Sequence, residues 1–149
     1  MGHVVYVAGP SFTEEQRQTM NELEELLDEM KISYFSPRQR CYCPPNASQI
    51  ERNHSFQMNC TGVTVAEVVL ARIDGYGAGT MFEIGHAYAA RTPIVAFSTE
   101  PTTKINLMLA CACRGFLSGI KEVKAFLKPY HSTNQFDWTS ANRWRKEVI

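Results

Sequence analysis

Apolar and polar residues follow one another along this chain in two rhythms. The β-branched run His3 to Ala8, "HVVYVA", stops at Gly9-Pro10 and predicts a buried strand followed by a turn. Thr13 and Gln16 then stand at capping-box spacing, and Met20, Leu23, Leu27 and Met30 recur at the interval of one helical face. "ISYFS", beginning at Ile32, predicts a second strand ended by Pro37, and the stretch "RQRCYCPPNAS" after it reads as a loop by its prolines and polar residues. A second helix is expected from Ser48, with Ile50, His54, Met58 and Gly62 along one face. Val68 to Ile73, "VVLARI", predicts a third strand that ends at Asp74. A glycine-rich turn, a helix from Thr80 to Arg91 and a fourth strand, "PIVAF", follow. Beyond "KINLMLACAC" lies a helix over Ile120 to Leu127, and from Pro129 the chain runs on as an aromatic, polar tail without periodicity.

Strands alternating with helices predict an α/β fold, a parallel sheet covered on both faces. With 149 residues and no repeat, linker or low-complexity block, residues 1–149 read as one domain. In open sheets of this kind ligands sit beyond the carboxyl ends of the strands. Tyr6 to Phe12, Asp74 to Glu83 and Ser98 to Glu100 all fall at such ends.

Charge narrows the partners. Lys+Arg and Asp+Glu balance at 15 each, so no global field draws the chain to nucleic acid or an anionic membrane surface. No apolar run approaches the roughly 20 residues that span a bilayer, and the N-terminus has no signal-like core, so a cytoplasmic protein with small-molecule or protein partners is expected. Cys41, Cys43, Cys60, Cys111 and Cys113 are odd in number and read as reduced thiols. Their two C-x-C pairs lack the usual C-x2-C zinc spacing, so neither metal nor cofactor is expected. Two N-x-[ST] sequons, at Asn46 and Asn59, carry no meaning without secretion.

Chemistry concentrates in "GAGTMFEIGHAYAARTPIVAF", Gly77 to Phe97, where Glu83 lies between glycines and an apolar helix. Thr80-Met81-Phe82-Glu83 spells a capping box, in which the glutamate would reach back to the N-cap amide. The same placement in a first helical turn would hold the carboxylate ionised at neutral pH and ready to attack an anomeric carbon. The two readings are compatible. Gly75, Gly77 and Gly79 also approximate a dinucleotide loop with Glu100 as the ribose acid, but the third glycine comes a residue early and the strand is the third. Glu83 and His86 spell E-x-x-H, which di-metal bundles carry twice and this chain once. His3, His86 and His131 are therefore read as packing or surface residues, whereas His54 sits on a helix that could face the site.

"VYVAGPSF" (Val5 to Phe12), "GTMFEIGHAYAARTPIVAF" (Gly79 to Phe97) and "INLM" (Ile105 to Met108) together resemble the nucleoside 2-deoxyribosyltransferase family. The resemblance implies a flavodoxin-like three-layer sandwich with a mainly parallel five-stranded sheet. It also implies ping-pong exchange of a 2-deoxyribosyl group between nucleobases, with deoxynucleosides and free bases as partners and Glu83 as nucleophile. By position Tyr6 would hold that nucleophile, and Gly9, Phe12, Gly77 and Gly79 would line the substrate pocket. Asn106 and Met108 would reach into a neighbouring subunit's site, which implies a homo-oligomer. "FDW", Phe136 to Trp138, resembles an aromatic tail segment that could close over the base.

Two departures stand out. Gly77 occupies the place of an aspartate in the family's D-x-G-T-x-x-E, with Asp74 as the nearest substitute, and Asn59 stands where a second aspartate protonates and orients the base. Asparagine donates and accepts hydrogen bonds but supplies no acidic proton. Related 2'-deoxynucleoside 5'-monophosphate N-glycosidases share the fold and hydrolyse instead, and a glycine-flanked helix start suits a phosphate. A nucleoside or nucleotide sensor that kept the pocket and lost the acid is the non-enzymatic alternative.

Overall fold

The computed structural model describes residues 2–100, 104–141 and 147–149. Five strands, β1 (Val5–Ala8), β2 (Tyr34–Phe35), β3 (Val68–Arg72), β4 (Ile94–Ser98) and β6 (Gly115–Ser118), pair in parallel in the order β2-β1-β3-β4-β6. A separate parallel pair joins β5 (Lys104–Ile105) to β7 (Glu147–Val148). The helices are α1 (Glu14–Glu29), α2 (Pro37–Arg40), α3 (Gln49–Val65), α4 (Ala78–Ala89), α5 (Leu107–Ala112), α6 (Gly119–Leu127), α7 (Tyr130–Thr133) and α8 (Trp138–Ala141). This is the doubly wound, flavodoxin-like arrangement, and its order reverses between β1 and β3.

The pleat sorts β1 residue by residue. Val5 and Val7 join Leu23, Leu27, Val123 and Phe126 in a core beneath α1 and α6. Tyr6 and Ala8 join Val63, Ile84 and Ala87 beneath α3 and α4 on the other face. Complete burial of an aliphatic side chain in either layer contributes ~1.5–3 kcal/mol. Because Tyr6 is in register with Phe35 on one side and Val69 on the other, it stands at the centre of the second layer.

Several local expectations change. Residues after Pro37 form a helical turn instead of a loop, with Pro37 itself at the first helical position, where its missing N–H is harmless. Helix α3 extends beyond the sheet at its start, so Ile50 and His54 are exposed and only its last turns, at Gly62 and Val63, are buried. The fifth strand, Gly115–Ser118, is four residues flanked by glycine and too short for a periodic signal. The tail folds too: Phe136 stacks on Phe126 with centroids 5.0 Å apart, and Trp138 meets Phe126 edge-on at 5.2 Å. Arg114 lies over the Trp138 ring at 3.8 Å. Phe136 to Trp138 thus belong to the α1/α6 face and do not cover Glu83, which lies on the α3/α4 face; residues 142–146 of the tail lie outside the described residues. Among the described residues no helix is long and apolar enough to cross a membrane.

Candidate active site

Tyr6 is fully buried, its ring stacked on Phe35 at 5.5 Å and 9°. Gly62 of α3 passes along the ring edge so closely that a Cβ there would come within 3.1 Å of Tyr6 Cε2. Clamped in this way, the Tyr6 hydroxyl donates to Glu83 Oε2. Strand β1 and helix α4 therefore deliver the two groups to one point from 77 residues apart in the chain.

Glu83 is not a cap. Helix α4 starts at Ala78 with Gly77 as N-cap and no side-chain capping bond, so Glu83 falls in the second turn and Thr80 is buried in the first. The carboxylate thus has no unpaired helix amides to stabilise its charge. Burial raises its pKa to about 7, against a smaller downward pull from the Tyr6 hydrogen bond. The expectation of full ionisation at neutral pH is corrected accordingly: near pH 7 Glu83 is a mixture of acid and carboxylate. Burial, followed by the Glu83 charge and hydrogen bond, pushes the Tyr6 hydroxyl far above its ordinary range and keeps it a donor.

Glu83 opens on a cavity of about 340 Å³ between α3 and α4. Asn59 lines it, and among the described residues its buried Oδ1 has no hydrogen-bond partner. Phe56 and Phe82, with centroids 5.6 Å apart, form an aromatic wall, and Phe82 stacks on His86 at 6.1 Å and 9°. His86 Nε2 lies 3.1 Å from the Cys60 carbonyl oxygen and 3.3 Å from Thr64 Oγ1.

Of the residues singled out in the sequence, Tyr6, Asn59, Gly79 and Glu83 meet here. Asp74 is committed elsewhere. It accepts from Arg72 Nε at 2.7 Å, from Thr99 N and Oγ1 at 2.9 Å each, and from the Ser98 hydroxyl. Burial raises the Asp74 pKa, but these donors together hold it below the ordinary carboxylate value. It braces the ends of β3 and β4 and does not fold back towards Glu83. Gly9 lies against Met20 and Arg72, Gly77 caps α4, and Phe12 is 87% exposed before α1. Asn106 caps α5 by accepting from Met108 N at 2.9 Å, and both residues line a second, apolar groove of about 660 Å³ between α4 and α5. His54 does not line the Glu83 cavity. Phe56 and Phe82 do, though neither stands out in the sequence, and so does His86, which was expected only to pack or lie at the surface. The available signal was helical spacing: 56, 59, 60 and 63 share a face of α3, as 79, 82, 83 and 86 share one of α4.

A doubly wound sheet with a half-buried, tyrosine-held glutamate beside its switch point defines an α/β protein with a carboxylate in a small-molecule crevice. The chain belongs to the nucleoside 2-deoxyribosyltransferase family, which it matches over residues 5–133, and that family makes or breaks N-glycosidic bonds. No curated protein matches it. Among solved structures it is similar to the 2-deoxyribosyltransferase of the psychrotolerant bacterium Bacillus psychrosaccharolyticus, with 24% identity, TM-score 0.75, and 97% of this chain and 98% of that one covered. It also resembles the CMP N-glycosidase of Clostridium botulinum, with 17% identity, TM-score 0.60, and 85% and 98% covered. A third likeness is to a 2-deoxyribosyltransferase from Leishmania mexicana, with 16% identity, TM-score 0.52, and 99% and 83% covered.

Proposed function

We propose that this protein transfers a 2-deoxyribosyl group between nucleobases through a covalent intermediate on Glu83. The observation that carries the reading is the Tyr6–Glu83 pair, a carboxylate aimed and buried at the mouth of a cavity of nucleoside dimensions. Ionised Glu83 attacks C1' of a deoxynucleoside as the base departs, and a second base then attacks C1' of the glycosyl ester, breaking its bond to the Glu83 oxygen and freeing the carboxylate. Asn59 orients the base by hydrogen bonding, and Phe56 and Phe82 offer it an apolar face. A ribosyl 2'-hydroxyl would withdraw electron density from the oxocarbenium-like transition state, so deoxynucleosides are the favoured substrates.

Asn106 and Met108 complete a neighbouring subunit's site in this reading. Its support is that Met108, 74% exposed, and Asn106 lie in the α4/α5 groove, apart from their own chain's Glu83 cavity. Gly77 supports the second reading, hydrolysis of deoxynucleoside 5'-monophosphates, because without a side chain it leaves the start of α4 open to a phosphate.

Incubation with a deoxynucleoside and a different free base decides between them. Exchange of the base is expected. Free base without exchange indicates the hydrolase, and neither product indicates a binding protein. Glu83→Ala should lose roughly a thousandfold or more of rate while melting within a few degrees of wild type. Collapse of the fold without selective loss of activity would give Glu83 a structural role instead.

A further inference from the structure

The departing base takes the electron pair of the C1'–N bond and needs a proton, and none of the carboxyl groups expected to supply one is in place. Position 77 is glycine, position 59 is an amide, and Asp74 is held by Arg72, Ser98 and Thr99. The Tyr6 hydroxyl is committed to Glu83. One further side chain that can take up and release a proton lines the cavity, His86, one helical turn beyond Glu83 on the same face of α4.

Its tautomer follows from its partners. Thr64 Oγ1 donates its proton to the Cys60 carbonyl at 2.9 Å, so towards His86 that hydroxyl is an acceptor. The Cys60 carbonyl can only accept. Both neighbours of Nε2 are therefore acceptors, and Nε2 carries the hydrogen. Nδ1 is left as the nitrogen that can accept or give a proton, and none of the described residues hydrogen-bonds it. Phe82 stacked on the ring fixes its plane. The titratable groups that share the cavity are Glu83 from α4 and the Cys60 thiol from α3, the latter raised by burial and by the Glu83 charge. Asn59 and Thr64, the other polar groups of α3 beside the ring, carry no charge.

We infer that His86 is the acid–base residue of the glycosyl transfer, giving the Nδ1 proton to the leaving base and taking one from the incoming base. This rests on the reaction proposed above. In the first half, a Glu83 oxygen bonds to C1', the C1'–N pair passes to the base, and the Nδ1–H proton moves to a base heteroatom. Neutral His86 remains. In the second half, the incoming base loses its N–H proton to Nδ1 as its nitrogen bonds to C1', and Glu83 leaves as carboxylate. Protons and electron pairs balance over the cycle without an outside acid.

The test uses His86→Gln, whose amide can keep the hydrogen bond to the Cys60 carbonyl while losing the titrating atom. Wild type is first assayed with the four common deoxynucleosides and their 5'-monophosphates. Failure to release or exchange any base overturns the reaction itself, and this proposal with it. With an active wild type, His86→Gln is expected to lose about a hundredfold or more of kcat/KM on the best nucleoside. It should lose less than about threefold on 4-nitrophenyl 2-deoxyribofuranoside, whose phenolate departs without a proton. Equal losses on both substrates, or no loss on the nucleoside, overturn the role of His86 and leave the reaction standing. Should wild type reject the nitrophenyl glycoside, His86→Gly with added imidazole replaces it: at least about tenfold recovery of nucleoside turnover is expected, and no recovery overturns the role.

Discussion

In the proposed reaction Glu83 carries the chemistry, and the same two oxygens carry a cost to stability. Burial raises its pKa to about 7 and the Tyr6 hydroxyl partly offsets this, so kcat/KM for a deoxynucleoside should rise with pH through about 7 as the nucleophile ionises. Tyr6→Phe removes the offset. The ionisation should then move to higher pH, with turnover at pH 7 down by roughly 10- to 100-fold. An unmoved limb in the pH profile would separate Tyr6 from the nucleophile. The same shift acts on folding. Folded Glu83 titrates at about 7 against 4.5 for the free group, so between those values the folded state holds the extra proton. Stability is then greatest on the acid side and declines as pH rises through about 7. Glu83→Gln keeps an acceptor for Tyr6 and does not titrate. It should melt roughly 5 °C above wild type at pH 8, the gap narrowing towards pH 5. A constant gap, or a lower melting temperature at pH 8, would contradict a buried, reluctantly ionised carboxylate. At this scale the sequence proposes Glu83 but misjudges its protonation state, because ionisation depends on a neighbour 77 positions away in the chain.

Helix starts show what local sequence decides among the elements. Thr13 with Gln16, and Ser48 with Glu51, form complete capping boxes at the starts of α1 and α3. Thr80 and Glu83 have the same spacing and form none. The turn Asp74–Tyr76, with Gly75 at φ 73°, starts α4 at Ala78, and Thr80 is then packed inside while Glu83 turns to Tyr6. Where a helix begins depends here on how the preceding strand leaves the sheet. The approach of α3 to β1 is equally a tertiary matter. A Cβ at position 62 would stand 3.1 Å from Tyr6 Cε2 and 3.2 Å from Phe35 Cδ1, both in buried rings with little room to yield. Gly62→Ala gains about 1 kcal/mol in helix propensity and loses about 1–3 kcal/mol to overpacking. A net loss in denaturant unfolding, together with a fall in kcat as Tyr6 tilts, is expected. A stabilised variant with unchanged kcat would mean that the rings move aside freely.

At the scale of the whole molecule, the two helical layers divide the work. Beneath α1 and α6 the core takes in Phe136 and Trp138, whereas the α3/α4 layer holds Glu83, Asn59 and His86. Beside that layer, Tyr88 and Met108 are exposed along the α4/α5 groove, an apolar surface that suits a second copy of the chain. If subunits complete one another's sites, mixing Glu83→Ala with Asn106→Ala, each inactive alone, should restore about a quarter of wild-type activity in a randomly assorted dimer. Light scattering on the same samples should report an oligomer. Monomers of full activity, or no recovery on mixing, would confine Asn106 to its role as the cap of α5.

The alternation of strands and helices, the buried β1 and β3 and two of the helix starts are legible along the chain, because each rests on periodicity or on residues within a few positions of one another. That Glu83 is held against Tyr6, that Asp74 is tied to Arg72 and Thr99, that Phe136 to Trp138 fold onto the opposite face, and that His86 enters the cavity follow from the assembled fold alone. Proton affinity, side-chain pairing and the facing of a helix are set by groups that meet only when the sheet assembles, and no pattern along a single segment contains them.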